Sequence, residues 1–183
     1  MPTCDPATIF PVIKTVMEIN RRQRIASILD VGCGMGKWGM LFREYLEGWW
    51  LHHYKREMWK IRLDGVDVFE DYFQPWHRAL YDHLFAFDLR ERPFPPEMIG
   101  PYDLVYLGDT IEHLKKDEGH RLLRDLKFRT CIISTPTKLL PHRQGRPNPF
   151  LEHLSLWTVE DFKPYAGLKV LAKDRKLIVR FGL

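Results

Sequence analysis

Three closely spaced glycines are the residues of this sequence whose type and spacing most directly suggest chemistry. Gly32, Gly34 and Gly36 follow the apolar segment 28–31, which is typical of a buried strand. Glycine lets a ligand approach the backbone closely because it has no Cβ and accepts left-handed φ angles. A helix predicted to begin near Lys37 offers unpaired backbone N–H groups at the same place. The pattern therefore predicts a binding site for a nucleotide-like ligand.

Four aspartates occur at equivalent places along the chain, each at or just after the end of a predicted strand: Asp30, Asp67, Asp88 and Asp109. The carboxyl ends of parallel strands meet at one edge of a sheet, where such sheets bind ligands. As a set, the four acids therefore favour a ligand-binding rim at this edge of the sheet. For any one of these acids, a structural role as a loop cap or turn former is an equally good interpretation.

A second group of candidate residues lies in the segment Asp-Thr-Ile-Glu-His, which ends at His113. On a helix Asp109, Glu112 and His113 share one face, and the loop from Pro136 is expected to bring His153 to the same rim. Three interpretations stay open. Glu112 and His113 are purely structural, or His113 is a general base, since the pKa of histidine lies near neutrality. In the third, Asp109, Glu112, His113 and His153 bind Mg²⁺, Mn²⁺ or Zn²⁺.

Hydrophobic spacing predicts the elements that position these residues. Helices are expected over 6–24, 37–50, 111–126 and 158–165, and residues 74–84 are expected to be helical or irregular. Strands are expected over 28–31, within 62–68, and over 84–87, 102–107, 130–134, 169–172 and 176–181. This alternation predicts an α/β fold whose seven-stranded, mostly parallel sheet has helices on both faces and ends in an antiparallel hairpin.

Composition limits the class of protein further. With 183 residues, of which 45% are hydrophobic, the sequence predicts one domain, 1–183, with a full core. Its expected parts are an N-terminal helix (1–24), a ligand-binding core (25–135), a substrate-side loop (136–157) and a C-terminal helix and hairpin (158–183). The net charge of +4 permits an anionic partner without requiring one. Three cysteines without CxxC spacing, no signal peptide and no membrane span predict a cytoplasmic protein without a membrane partner.

The glycines and acids together resemble motifs of the class I S-adenosylmethionine-dependent methyltransferases, a family with a Rossmann-like fold. Residues 28–36 are similar to the first motif, an acid followed by G-x-G-x-G. Residues 65–67 resemble the second-strand motif, whose acid holds the ribose hydroxyls, and residues 87–89 stand where the family places an acid on the adenine amine. Residues 102–113 resemble the fourth-strand motif beside the transferred methyl, and residues 132–136 the fifth strand.

The resemblance implies a methyltransferase that uses S-adenosyl-L-methionine and transfers the methyl group in line, with oxygen as the favoured acceptor atom. The implied cofactor-binding residues are Asp30, Gly32, Cys33, Gly34, Gly36, Trp38, Asp67, Val68, Asp88, Leu89, Leu107, Gly108 and Asp109. Glu112 and His113 are the implied catalytic residues. The resemblance leaves the acceptor open among small molecules, RNA and protein, and a homodimer is one expected arrangement.

The second group resembles a subset of this family, the 2′-O-methyltransferases that act on the 3′ end of small RNAs. There, two acids and a histidine join a histidine on a later loop to bind a divalent metal, and Asp109 stands where those enzymes have glutamate. The polyprenyl O-methyltransferases of ubiquinone biosynthesis share much of this pattern.

Two other functions stay open at this stage. The first is a nicotinamide-dependent oxidoreductase, because residues 34–39 also match G-x-G-x-x-G and Asp67 suits a ribose there as well. Against it, Gly32 has no role in that motif, and Asp30 would lie close to a pyrophosphate. The second is a catalytically inactive nucleotide-binding module, which the acids at all the expected strand ends disfavour.

Overall fold

The computed structural model describes residues 5–139 and 149–182, in which seven strands form one sheet in the order β3-β2-β1-β4-β5-β7-β6. The strands are β1 (Ser27–Val31), β2 (Arg62–Asp67), β3 (His83–Ala86), β4 (Tyr102–Gly108), β5 (Phe128–Pro136), β6 (Lys169–Lys173) and β7 (Lys176–Gly182). Strands β1 to β5 pair in parallel, whereas β7 is antiparallel to both β5 and β6. The predicted seven-stranded, mostly parallel sheet with a closing antiparallel hairpin is confirmed.

Helices pack against both faces of the sheet, as predicted. They are α1 (Ile9–Arg22), α2 (Lys37–Phe42), α3 (Trp49–Leu51), α4 (Pro75–Leu80), α5 (Pro96–Ile99), α6 (Lys116–Asp125) and α7 (Val159–Phe162). Successive side chains of a strand point to opposite faces. Accordingly, Leu104 packs with α1 and α2, whereas Val105 packs with α6 and α7. Each face thus has its own apolar core, and the strand ends between them are left to form a rim.

The predicted helix over 111–126 is wrong in its first part. Residues Ile111–His113 form a single 3-10 turn, and α6 begins only at Lys116. The three residues Asp109, Glu112 and His113 therefore do not share one face of a helix. They follow β4 on an irregular stretch of chain that begins with Asp109 at a φ of 54°.

A later segment, residues 152–157, explains why the helix does not form there. The backbone N–H groups of Leu154 and Ser155 both donate to the carbonyl of Glu112, at 2.8 and 3.1 Å. The Ser155 hydroxyl donates to the carbonyl of Leu114 at 2.7 Å. In a helix, each of these carbonyls would accept from the N–H group four residues later. Here residues 154 and 155 supply the donors instead, so the later segment takes the place of the next helical turn.

Three stretches covered by the sequence predictions fall outside the described residues: residues 1–4, which include Cys4, residues 140–148 of the substrate-side loop, and residue 183. Within the described ranges, no helix is both long and apolar enough to cross a membrane.

Candidate active site

The glycine loop between β1 and α2 has the left-handed backbone that its sequence predicts. Gly32, Gly34 and Gly36 have φ angles of 73°, 51° and 77°. A Cβ on residue 32 would lie 2.2 Å from Oγ1 of Thr110, whose hydroxyl donates to the carbonyl of Val31. Both the φ angle and the close approach require glycine at position 32, and the loop is thereby packed against the chain that follows β4.

The peptide groups at Gly34 are held from two sides. The Gly34 N–H donates to Oδ2 of Asp67 at 2.9 Å, and the Gly34 carbonyl lies 2.9 Å from Nε2 of His77. Because Nδ1 of His77 accepts from the Gln74 N–H, the ring proton is on Nε2 and is donated to Gly34. Oδ1 of Asp67 accepts from the Phe69 N–H at 3.0 Å. The predicted ribose acceptor is thus oriented at the rim by the loop itself.

Asp30 lies beneath this loop with one carboxyl oxygen satisfied. The Tyr81 hydroxyl donates to Oδ2 at 2.6 Å and also accepts from the Gly39 N–H at 3.2 Å. Oδ1 has no hydrogen-bond partner among the described residues. Burial, with a smaller contribution from the charge of Asp67, raises the pKa of Asp30 to about 7. This carboxyl is suited to a cationic group.

Trp38 places an unsatisfied donor on the same face of the sheet. Its ring packs 4.4 Å from that of Tyr106, measured between centroids, and its Nε1 has no partner among the described residues. A Cβ on residue 108 would lie 3.0 Å from this nitrogen and 2.6 Å from the Tyr106 ring. Glycine at position 108 therefore keeps the end of β4 clear beside a buried N–H group.

The adenine side of the predicted site is less open than the sequence suggests. Arg90 donates to both carboxylate oxygens of Asp88, at 2.9 and 3.0 Å from Nε, and this hydrogen bonding lowers the pKa of Asp88. An adenine amine has to share the Asp88 carboxylate with this guanidinium. The side chains of Leu89, Leu107 and Cys33 are buried.

Glu112, His113 and His153, three of the four residues of the predicted metal-binding group, lie together in the structure. Their possible ligand atoms all lie within 4.8 Å of one another, and the two imidazole rings are 5.0 Å apart between centroids. Nδ1 of His113 lies 2.8 Å from the carbonyl of Glu152. A carbonyl only accepts, so the proton is on Nδ1 and the lone pair is on Nε2. That tautomer suits either a metal ligand or a general base.

Glu112 is the buried member of this group. Thr135 donates to its Oε2 at 3.1 Å, whereas Oε1 has no hydrogen-bond partner among the described residues. Burial, with the neighbouring charge of Asp109, raises the pKa of Glu112 to about 8. A buried carboxyl with one unsatisfied oxygen beside two imidazoles is a donor set that fits a divalent cation.

Asp109 lies outside this group of three, although the sequence predicts it as a fourth ligand. Its Oδ1 accepts from Nζ of Lys176 at 2.7 Å. Sequence reasoning missed Lys176, and it also missed His77. No sequence signal identifies Lys176, because its position depends on the register that sets it opposite Pro136 of β5.

No protein-family model and no curated protein matches the chain in sequence, but its structure matches solved methyltransferases. The methyltransferase domain of bacterial CtHen1 matches with a TM-score of 0.56 at 20% identity, over 94% of this chain and 98% of that one. The chain has the class I methyltransferase fold. An N-terminal domain of EvdMO1 with SAH (S-adenosylhomocysteine) bound matches with a TM-score of 0.63 at 14% identity, over 94% of this chain and 80% of that domain. An O-methyltransferase family protein from Burkholderia thailandensis has a TM-score of 0.60 at 15% identity, over 94% and 55%. The fold that the sequence motifs imply is confirmed.

Asp30→Asn is expected to stabilise the unliganded protein at pH 8 but not at pH 4. The folded-state pKa of about 7 exceeds the ordinary value of 3.8, so the folded protein loses stability relative to the unfolded chain as pH rises from 4 to 7. A difference of about three pH units corresponds to at most ~4 kcal/mol, and asparagine is exempt from this loss. Urea denaturation of both proteins between pH 4 and 8 measures the difference, and a constant difference across that range would contradict the prediction.

Proposed function

We propose that this protein is an S-adenosylmethionine-dependent methyltransferase that transfers the methyl group to an oxygen acceptor. The observation that carries the proposal is the position of Asp67, at the end of β2 and bonded to the glycine loop through the Gly34 N–H. This carboxylate is half-buried at the rim and keeps acceptor capacity for adjacent ribose hydroxyls. One structural neighbour was solved with S-adenosylhomocysteine bound, which supports this choice of cofactor.

The residues near the glycine loop also fit the amino-acid end of the cofactor. That end carries an ammonium and a carboxylate. Asp30 provides a buried carboxyl with an unsatisfied Oδ1, and Trp38 provides an unsatisfied N–H on the same face of the sheet. The raised pKa of Asp30 reflects the cost of ionising this buried carboxyl in the unliganded protein. An ammonium group near Asp30 would stabilise the ionised carboxylate.

The strand order supports methyl transfer over hydride transfer to a nicotinamide. Dinucleotide-binding folds have the order 3-2-1-4-5-6 in a parallel sheet. Here β7 is inserted antiparallel between β5 and β6. In addition, the buried Asp30 carboxyl below the glycine loop would repel a pyrophosphate when ionised.

Glu112, His113 and His153 would hold a divalent cation beside the transferred methyl. The cation, when bound, would supply Lewis-acid activation of the acceptor hydroxyl, lowering the hydroxyl pKa so that it attacks the methyl carbon. The chain's own contribution is to fix these donors. His113 is oriented through Nδ1 by the Glu152 carbonyl, and Glu112 is oriented by Thr135. In-line attack would then form the O–C bond as the C–S bond breaks, with S-adenosylhomocysteine as the leaving group and the proton of the activated hydroxyl released to water.

Asp67→Ala is expected to weaken binding of S-adenosylhomocysteine by about 100-fold, because it removes a charged acceptor of two ribose hydroxyls and a bond to the loop. Isothermal titration calorimetry measures this affinity. Asp71→Ala, which removes an exposed acid on the following turn, is the matched control and should bind as the parent does. The proposal is wrong if the parent binds NADH in preference to S-adenosylhomocysteine. It is also wrong if Asp67→Ala binds S-adenosylhomocysteine as tightly as the parent does.

Labelled methyl donor is expected to transfer its label to a hydroxyl-bearing acceptor in a screen of RNA, protein and small phenols. Chelation with EDTA and the variant His153→Ala should each lower this transfer at least tenfold, since both remove the activating cation. His52→Ala, at an exposed histidine, is the control and should retain the parent's rate. Full turnover of His153→Ala in EDTA would remove the cation from the mechanism and leave His113 as the base.

A further inference from the structure

Asp109 lies outside the group of three candidate metal ligands and forms an ion pair with Lys176. Oδ1 of Asp109 and Nζ of Lys176 are 2.7 Å apart, and both side chains are largely buried, with 17% and 16% of their surface exposed. The Asp109 N–H donates to the carbonyl of Ser134 at 2.9 Å. Its φ of 54° is uncommon for any residue other than glycine. Backbone and side chain together fix this carboxylate at Lys176.

Lys176 comes from a part of the fold that is distant in sequence from the other site residues. It is the first residue of β7, and its antiparallel pairing with β5 sets it opposite Pro136, immediately after Thr135. Thr135 donates to Glu112, so the same end of β5 and β7 positions both Glu112 and the ammonium group. The charge of Lys176 also acts on Glu112, whose pKa it lowers against the larger effect of burial.

We propose that Lys176 sets the composition of the metal site, limiting its ligands among residues 5–139 and 149–182 to Glu112, His113 and His153 by keeping Asp109 as its own ion-pair partner. The inference rests on the proposed cation at these three residues. One carboxylate and two imidazoles favour Mn²⁺, Co²⁺ and Zn²⁺ over Mg²⁺, which prefers oxygen ligands. Three protein ligands also leave coordination positions for the acceptor oxygen.

Two effects of the lysine act in the same direction and are separable. The ammonium occupies an oxygen of Asp109, and it repels a cation bound nearby. Removing the lysine therefore frees one more oxygen ligand and removes a like charge. Only the first effect depends on Asp109, so a double-mutant cycle between positions 109 and 176 isolates it.

The experiment measures Mn²⁺ affinity, by the electron paramagnetic resonance signal of free Mn²⁺, in the parent, Asp109→Asn, Lys176→Met and the double variant. Asparagine tolerates the left-handed backbone at position 109. Asp109→Asn alone should change the affinity less than about threefold, while Lys176→Met should tighten it by about tenfold, the effect of one added charged ligand. In the Lys176→Met background, Asp109→Asn should remove most of that gain.

Further variants control for charge and folding. Lys173→Met removes an exposed lysine of the neighbouring strand and should leave Mn²⁺ affinity unchanged. Lys176→Arg keeps the ion pair and should bind Mn²⁺ as the parent does. If Lys176→Met does not fold, as judged by its thermal transition, Lys176→Gln replaces it, because the amide keeps a polar group against Asp109.

Several outcomes would overturn the inference. If Asp109→Asn in the parent lowers Mn²⁺ affinity as strongly as His153→Ala does, Asp109 is already a ligand. If Lys176→Met binds Mn²⁺ with the affinity of the parent, or if neither the parent nor Lys176→Met binds Mn²⁺, the ion pair does not control a metal site. Titration of the same proteins with S-adenosylhomocysteine keeps the two questions apart, since a failure of the cofactor proposal appears in that titration and not in the Mn²⁺ affinities.

Discussion

The geometry of the cofactor end of the site depends on how the peptide groups of Gly34 are fixed. Asp67 at the end of β2 accepts from the Gly34 N–H, and His77 on α4 donates to the Gly34 carbonyl. Both bonds reach the loop from other elements, β2 and α4, rather than from the loop itself. A glycine-rich loop has high conformational freedom in the unfolded chain, so these external contacts define its conformation. The acid that is proposed to bind the ribose is therefore also the acid that orders the loop.

The sheet and its ligand-binding rim are predictable because they follow from local signals. Short apolar runs ending in glycine or aspartate identify β1, β2 and β4, and the rule that parallel strands present their carboxyl ends together places Asp30, Asp67 and Asp109 at one edge. The hairpin of β6 and β7 follows from two apolar runs around a polar turn. In each case the residues that form the element also carry its signal.

What the sequence could not predict depends on partners that are remote along the chain. The turn at 111–113 has helical spacing, but its carbonyls accept from Leu154 and Ser155, and no local pattern reveals that competition. His77 looks like an ordinary histidine until α4 packs it against the glycine loop. The pairing of Asp88 with Arg90 is different, since the two residues are close in sequence. Their ion pair could have been predicted from their opposite charges and their separation of two residues.

The two halves of the site each contain a buried carboxyl group that lacks a full counter-charge. Asp30 and Glu112 are both buried carboxyls, and each uses one oxygen to accept from a hydroxyl, that of Tyr81 or of Thr135. The hydroxyl fixes the orientation of the carboxyl without supplying a positive charge. Burial without a full counter-charge raises the pKa of both groups, so the unliganded protein bears a cost for keeping them ionised. A cation would remove that cost at each place, which is the physical argument for the proposed ammonium at Asp30 and the proposed divalent ion at Glu112.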